Sequence, residues 1–232
     1  MNKALKIFAS ILKGSYGLFI LIGIQLLTGI LFRNILTSNN YLLINIILIS
    51  SEILTTVLLV LLNKKRLKHD FKDFDINYKK YLKFGFYIWF IGLIIMILSN
   101  ALINTFFLKD IATNEAIDRS ILNYYPIYSV IAMILVGPFN EELAFRCGYK
   151  DSIKNKYLYY IITVLLFTSM HVINGITTPL ALLYFIPYGA LAFAFSYILD
   201  KTNNIFTTTI IHTLHNTISI LILTISILLG GI

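Results

Sequence analysis

The chain has a single cysteine, Cys147, among its 232 residues. One cysteine excludes an internal disulfide and any metal site built from several thiolates, and beside the polar motif described below it reads as a small packing residue. Charge is scarce as well: 13% of the residues are Asp, Glu, Lys or Arg and 58% are hydrophobic, against roughly 45–50% apolar residues in soluble domains. That balance predicts a polytopic membrane protein. No repeat with a period of about 20–50 residues and no low-complexity tract is present, so one helical membrane domain over residues 1–232 is the economical reading. The N-terminus carries Lys3, Lys6 and Lys13 but lacks a short apolar core followed by a small-residue cleavage signal. Its apolar run continues to about Ile35, which predicts a first span and not a signal peptide.

The net charge of +8 could suggest a nucleic-acid partner, yet the cations fall between apolar spans and form no basic face. Nucleic acid is not expected, and the lipid bilayer is. A span needs about 20 mostly apolar residues, and the breaks in polarity predict an all-α bundle of about seven transmembrane helices near 7–33, 41–63, 81–107, 124–149, 156–174, 178–199 and 205–229. Lys and Arg concentrate at the N-terminus, in Lys64–Lys83 and at Lys150, Lys154 and Lys156. The connections at Arg33, at Lys109–Asn123 (where Asp110, Glu115 and Asp118 offset two cations) and around Asn174 carry few or none. This alternation predicts a cytoplasmic N-terminus and an external C-terminus. The Lys64–Lys83 stretch, with Phe71, Phe74 and Tyr78 among its charges, suits either an amphipathic segment on an anionic inner leaflet or a solvated loop.

The fourth span ends in Asn140-Glu141-Glu142-Leu143-Ala144-Phe145-Arg146. Ionisable groups inside a membrane are costly unless paired or hydrated, so they mark a functional site by default. Residues four apart share a helix face, so Glu142 and Arg146 should pair while Glu141 points elsewhere and stays available. A carboxylate in a mostly apolar cavity suits a general base; a purely structural network clamping helices is the alternative. Gly137-Pro138 lies just before the carboxylates and predicts a kink, with a carbonyl near Ile134 left free. His171 sits late in the fifth span. His212 and Asn216 lie one turn apart on the seventh, two donors of the kind that stabilise an oxyanion. His215 is about 60° from His212 around the same helix, leaving open which histidine faces inward. Measured from the cytoplasmic span ends, Glu141, His171 and Asn216 all fall roughly 20 Å deep at 1.5 Å per residue, so the three clusters are placed to meet.

Glu141-Glu142-Leu143-Ala144-Phe145-Arg146 resembles the EExxxR signature of the CPBP or Abi family of intramembrane proteases, which includes CAAX prenyl protease type 2 and bacteriocin-processing and self-immunity proteins. Phe167-Thr168-Ser169-Met170-His171 resembles that family's FxxxH element, and His212-Thr213-Leu214-His215-Asn216 its HxxxN element. Each pattern is weak alone; three in order, over about residues 125–225, are specific. The resemblance implies peptide-bond hydrolysis in or at the membrane of a membrane-associated peptide or protein. Glu141 would activate water with help from His171, His212 and Asn216 would stabilise the oxyanion, and Glu142 and Arg146 would support the site. It implies a catalytic core over 124–229 preceded by variable helices over 1–110. The family often has Gly directly after the motif arginine, whereas here Cys147 precedes Gly148, which bears on helix packing and not on the catalytic groups. No cofactor is expected from it. Zinc held by Glu141, His171 and His212 is the chemical alternative, although the HExxH helix of common zinc proteases is absent.

Two rivals stand beside the peptidase. A non-catalytic immunity or scaffold protein would keep the same network but tolerate loss of any one member. A proton-relaying transporter would show inverted repeats and paired broken helices, and neither is visible. Abundant Ile, Asn, Lys, Tyr and Phe suggest an AT-rich bacterial genome, hence a plasma-membrane location and a signalling peptide, bacteriocin leader or membrane-protein segment as substrate.

Overall fold

The computed structural model describes residues 2–107, 113–176 and 178–229, with the backbone alone for 113–118. Lys109 and Asp110, and the side chains of Glu115 and Asp118, lie outside the described residues. All described elements are helical. They are α1 (Lys3–Gly14), α2 (Tyr16–Leu31), α3 (Tyr41–Phe106), α4 (Thr113–Tyr124), α5 (Pro126–Ser152), α6 (Lys156–Gly175), α7 (Pro179–Thr202) and α8 (Ile205–Leu228), with one extra turn at Arg33–Leu36 before α3. Five helices, α3 and α5 to α8, are long and apolar enough to cross a membrane, and the pair α1 and α2 makes a sixth candidate.

The predicted first span, 7–33, is broken. α1 and α2 meet at 49° around Ser15, whose hydroxyl accepts from the Tyr149 phenol at 3.0 Å. Gly14 passes so near that ring that a Cβ there would lie 2.7 Å from it. α1 is mostly exposed and packs Ile11 beside Tyr149, Ile153 and Tyr159.

The predicted second and third spans are one helix. A straight helix of 66 residues would be about 99 Å long, three times the roughly 30 Å of hydrocarbon. α3 instead doubles back. Asn45 near its start accepts from the backbone N–H of Tyr128, at the start of α5. Asn104 near its end accepts from Tyr184, early in α7. Arg66 between them reaches Asp151 and Asn203, where α5 and α7 finish. Both ends of α3 thus lie at one end of the bundle and its middle at the other, so the second and third predicted spans are the two arms of one helix.

The 64–83 stretch is helical throughout and not a loop. It holds no Gly or Pro, and its charges sit at helical spacing, as in the Arg66–Asp70 pair at 2.8 Å. Its acidic side docks onto the end of the bundle where α7 turns into α8. Asp70, fully buried, accepts from the Ile205 N–H at 3.0 Å and so caps the start of α8. Asn204 donates to the Asp70 carbonyl and to the Asp73 carboxylate. Asn203 turns the chain from α7 into α8 with a left-handed backbone, φ 49°. Phe71 and Ile76 remain exposed on the other side.

Around Gly137-Pro138, where the sequence predicts a kink, α5 departs from regular α-helical winding. Residues Val130–Val136 and Leu143–Cys147 are wound as π-helix, the form that recurs at functional sites. With i→i−5 spacing, the carbonyl orphaned by Pro138 belongs to Met133 and not to Ile134. Asn216 of α8 donates to that Met133 carbonyl at 2.8 Å. The wide turn also explains Gly137: a Cβ there would stand 1.9 Å from the Ala132 carbonyl oxygen. Gly137→Ala is therefore expected to destabilise the protein by about 1–3 kcal/mol or more, read as a fall in the melting temperature of the detergent-solubilised chain. An unchanged melting temperature would mean the wide turn is not required.

Candidate active site

Glu141 and Glu142 lie between the two π-helical stretches, and their neighbours divide their roles. Glu142 and Arg146 are fully buried and pair at 2.7 Å, the ion pair expected from their spacing. Arg146 stays in the interior because aromatic faces and a hydroxyl surround it. Its guanidinium lies 4.5 Å from the Phe167 ring centroid and 5.4 Å from that of Phe195, and Nε donates to Ser196 at 3.3 Å. Cation–π contacts of a desolvated guanidinium contribute about 2 kcal/mol or more.

The same Glu142 oxygen that binds Arg146 also accepts from Nδ1 of His212, at 2.8 Å. His212 stacks on Phe195 with centroids 4.5 Å apart, and its Nε2 stands 3.7 Å from Glu141 Oε2. One imidazole therefore links the buried carboxylate to the accessible one, whose side chain is 26% exposed. His212, not His215, faces the carboxylates; His215 lies against Trp89 and Phe195 instead.

His171 is fixed by its own turn. Nδ1 donates to the Phe167 carbonyl at 2.9 Å and the ring stacks on Phe167 at 4.4 Å. With the proton at Nδ1, Nε2 is an acceptor. Glu141, His171, His212, His215 and Asn216, drawn from α5, α6 and α8, line one cavity of about 630 Å³. Its walls are largely apolar, among them Leu21 of α2, Met96 of α3 and Leu191 of α7. Asn216 shares its amide between this cavity and the Met133 carbonyl. Cys147 is buried among Leu59, Leu143, Leu199 and Ile205, the packing position read from the sequence.

The donor set for zinc is not assembled. Among the described residues no three His, Cys, Asp or Glu side chains are grouped to hold a metal ion, Glu141, His171 and His212 included. Both Nδ1 atoms are engaged with protein oxygens.

Three features escaped the sequence reading. Phe195 had no signal at all. Asn140, fully buried, is clamped to α3 by a bond from Thr56 at 2.9 Å and by its own donation to the Glu52 carboxylate at 3.1 Å. Glu52, which also lines the cavity, did have a signal, being the one charged residue between Tyr41 and Asn63.

Comparison with known proteins bears on the same region. A family model described as Rce1-like, type II CAAX prenyl endopeptidase Rce1-like, matches residues 123–218. Two proteins of Lactococcus lactis subsp. lactis (strain IL1403) are similar. UPF0177 protein YbdI is 37% identical over 28% of this chain and 36% of its own length. UPF0177 protein YxdF is 28% identical over 53% of this chain and 70% of its own length. The match thus spans only about a third of the first relative. No solved structure matches the chain. Residues 123–218, which hold Glu141, His171, His212 and Asn216, are thus similar to the Rce1-like family of type II CAAX prenyl endopeptidases.

Proposed function

We propose that the protein is an intramembrane endopeptidase that hydrolyses a peptide bond of a membrane-associated peptide or protein with a water activated by Glu141 and His171. The observation that carries this reading is the convergence of Glu141, His171, His212 and Asn216, from three helices, on one cavity among apolar walls. Water between Glu141 and the free Nε2 of His171 gives up a proton to the carboxylate and attacks the carbonyl carbon. The developing oxyanion is met by the Asn216 amide and by His212 when that ring carries a proton on Nε2. With Glu141 then protonated, Glu142, His212 and Arg146 leave a net positive charge that the oxyanion offsets, which suits a low-dielectric site. Glu141 then passes its proton to the departing amine. The donor set favours a metal-free route, because the candidate zinc ligands are not grouped. A multi-pass protein of a bacterial plasma membrane is the setting that the Lactococcus relatives support, and a signalling peptide, bacteriocin leader or membrane-protein segment is the substrate proposed.

Two expectations separate catalytic from supporting groups. Glu141→Gln and His171→Ala should each lower cleavage of a transmembrane peptide library at least about 100-fold with little change in melting temperature, and a chelator should leave the wild type unaffected. Equal product spectra by mass spectrometry in all variants would instead assign a non-catalytic binding role, and activity lost on chelation and restored by zinc would require a metal. Arg146→Met should destabilise the fold by about 3–5 kcal/mol, because it leaves Glu142 buried and uncompensated, and adding Glu142→Gln should recover part of that loss. Thermal unfolding of the single and double variants measures both.

A further inference from the structure

Glu52 lies in the middle of the first crossing of α3, half-buried, as the one charge between Tyr41 and Asn63. An ionisable group at such a depth costs about 2.5–3.5 kcal/mol on insertion scales, and normally has a partner. Among the described residues Glu52 makes no ion pair; its carboxylate takes one neutral bond, from Asn140 at 3.1 Å. It nevertheless lines the same cavity as Glu141, one residue along from the asparagine that it holds. Arg119, the cation on that lining, is already partnered, and Glu141 has His212 beside it. Glu52 is thus the cavity carboxylate whose charge the described chain does not balance.

We propose that Glu52 is a specificity-determining residue that binds a cationic side chain, lysine or arginine, of the substrate peptide close to the scissile bond. The inference rests on the peptidase reading for what the cavity holds, and it adds a chemical class of substrate. A cavity of about 630 Å³ is within the range of approximately 300–1,000 Å³ that takes a ligand of this size. Its apolar walls suit the membrane-embedded part of a peptide, and an ammonium or guanidinium entering with that peptide meets Glu52 while Asn140 keeps the carboxylate oriented. In a water-poor cavity the pair discriminates strongly, since a neutral residue at that position leaves the carboxylate without a counter-charge. Because Asn140 directly precedes Glu141, the residue that reads the charge and the residue that activates water are tied through one side chain.

The test uses the full chain in lipid nanodiscs and three fluorescent poly-leucine transmembrane peptides, identical except for lysine, norleucine or glutamate at one position scanned along the central segment. Binding is measured in a Glu141→Gln background, so it does not depend on turnover. The lysine peptide should bind about tenfold more tightly than the norleucine peptide at one or two positions. Glu52→Gln, which preserves the acceptor for Asn140, should level the two, and Glu52→Lys should reverse the preference toward the glutamate peptide. Melting temperatures of the variants identify any that fail to fold, and Glu52→Gln is the deciding one if Glu52→Lys does. Equal binding of lysine and norleucine peptides at every position, no binding of any peptide, or a lysine preference that survives Glu52→Gln would overturn the proposal; the last two would leave Glu52 as a structural partner of Asn140. Cleavage by the chain with Glu141 intact is read separately. Lysine selectivity without cleavage would fail the peptidase reading and keep the cation site, whereas cleavage without selectivity would do the reverse.

Discussion

One carboxylate oxygen organises the interior. Glu142 Oε1 accepts from Arg146 at 2.7 Å and from His212 at 2.8 Å, and each of those partners is packed on aromatic rings from other helices. A charge buried in a bundle is tolerable only when its counter-charges and hydrogen bonds arrive together. Those partners come from α5 itself, from Phe167 of α6, from Phe195 and Ser196 of α7 and from His212 of α8. Association of membrane helices has no hydrophobic drive, since lipid is as apolar as leucine. The buried network gives four helices a single mutual arrangement, and that arrangement sets Glu141 and His171 on one cavity.

The network also explains why the backbone of α5 departs from regular geometry. A regular helix through Gly137-Pro138 would leave an orphan carbonyl in a region without bulk water, a cost of several kcal/mol in hydrocarbon. The wide turns move that orphan to Met133, where Asn216 reaches it. Asn216 and His212 sit one turn apart on α8, so the residue that meets the Met133 carbonyl and the residue that binds Glu142 are fixed relative to each other. A shift of α8 along its axis would break both contacts at once. The cap of Asp70 on the first N–H of α8 holds the start of the same helix, and so fixes its height in the bundle.

Local features of this arrangement were legible in the sequence. The Glu142–Arg146 pair follows from helical spacing, and the helical membrane class follows from the lengths of the apolar runs. The choice of His212 over His215 was not legible, because about 60° of helix rotation separates two inward directions and only a partner on another helix decides between them. The free carbonyl was placed one residue off, since a π-turn has no signal beyond the proline. The unbroken course of α3 was hidden for a different reason. Its charged middle reads as a connection when charge is counted, yet the Arg66–Asp70 spacing and the absence of Gly and Pro make it a helix. Glu52 is the instructive omission: a lone acid in an apolar run is visible at once, but its relation to Glu141 requires the Thr56–Asn140 contact between α3 and α5.

That contact bears on how such a site acquires its selectivity. The family match begins at residue 123, and the groups proposed for water activation lie within it. Part of the cavity wall does not: Leu21 comes from α2 and Glu52 and Met96 from α3, all before the matched region. A site built this way separates two demands. The carboxylates and imidazoles must keep their mutual geometry to within a few tenths of an ångström for proton transfer, and a network inside α5 to α8 secures that. The shape and charge of the remaining wall are free to change with the residues that α2 and α3 present, provided that their anchors, Tyr16 to Asn63 and Thr56 to Asn140, keep those helices in register. Replacing Glu52 alters what the cavity attracts without touching the buried Glu142 network, whereas replacing Arg146 disturbs the fold without changing what the wall presents.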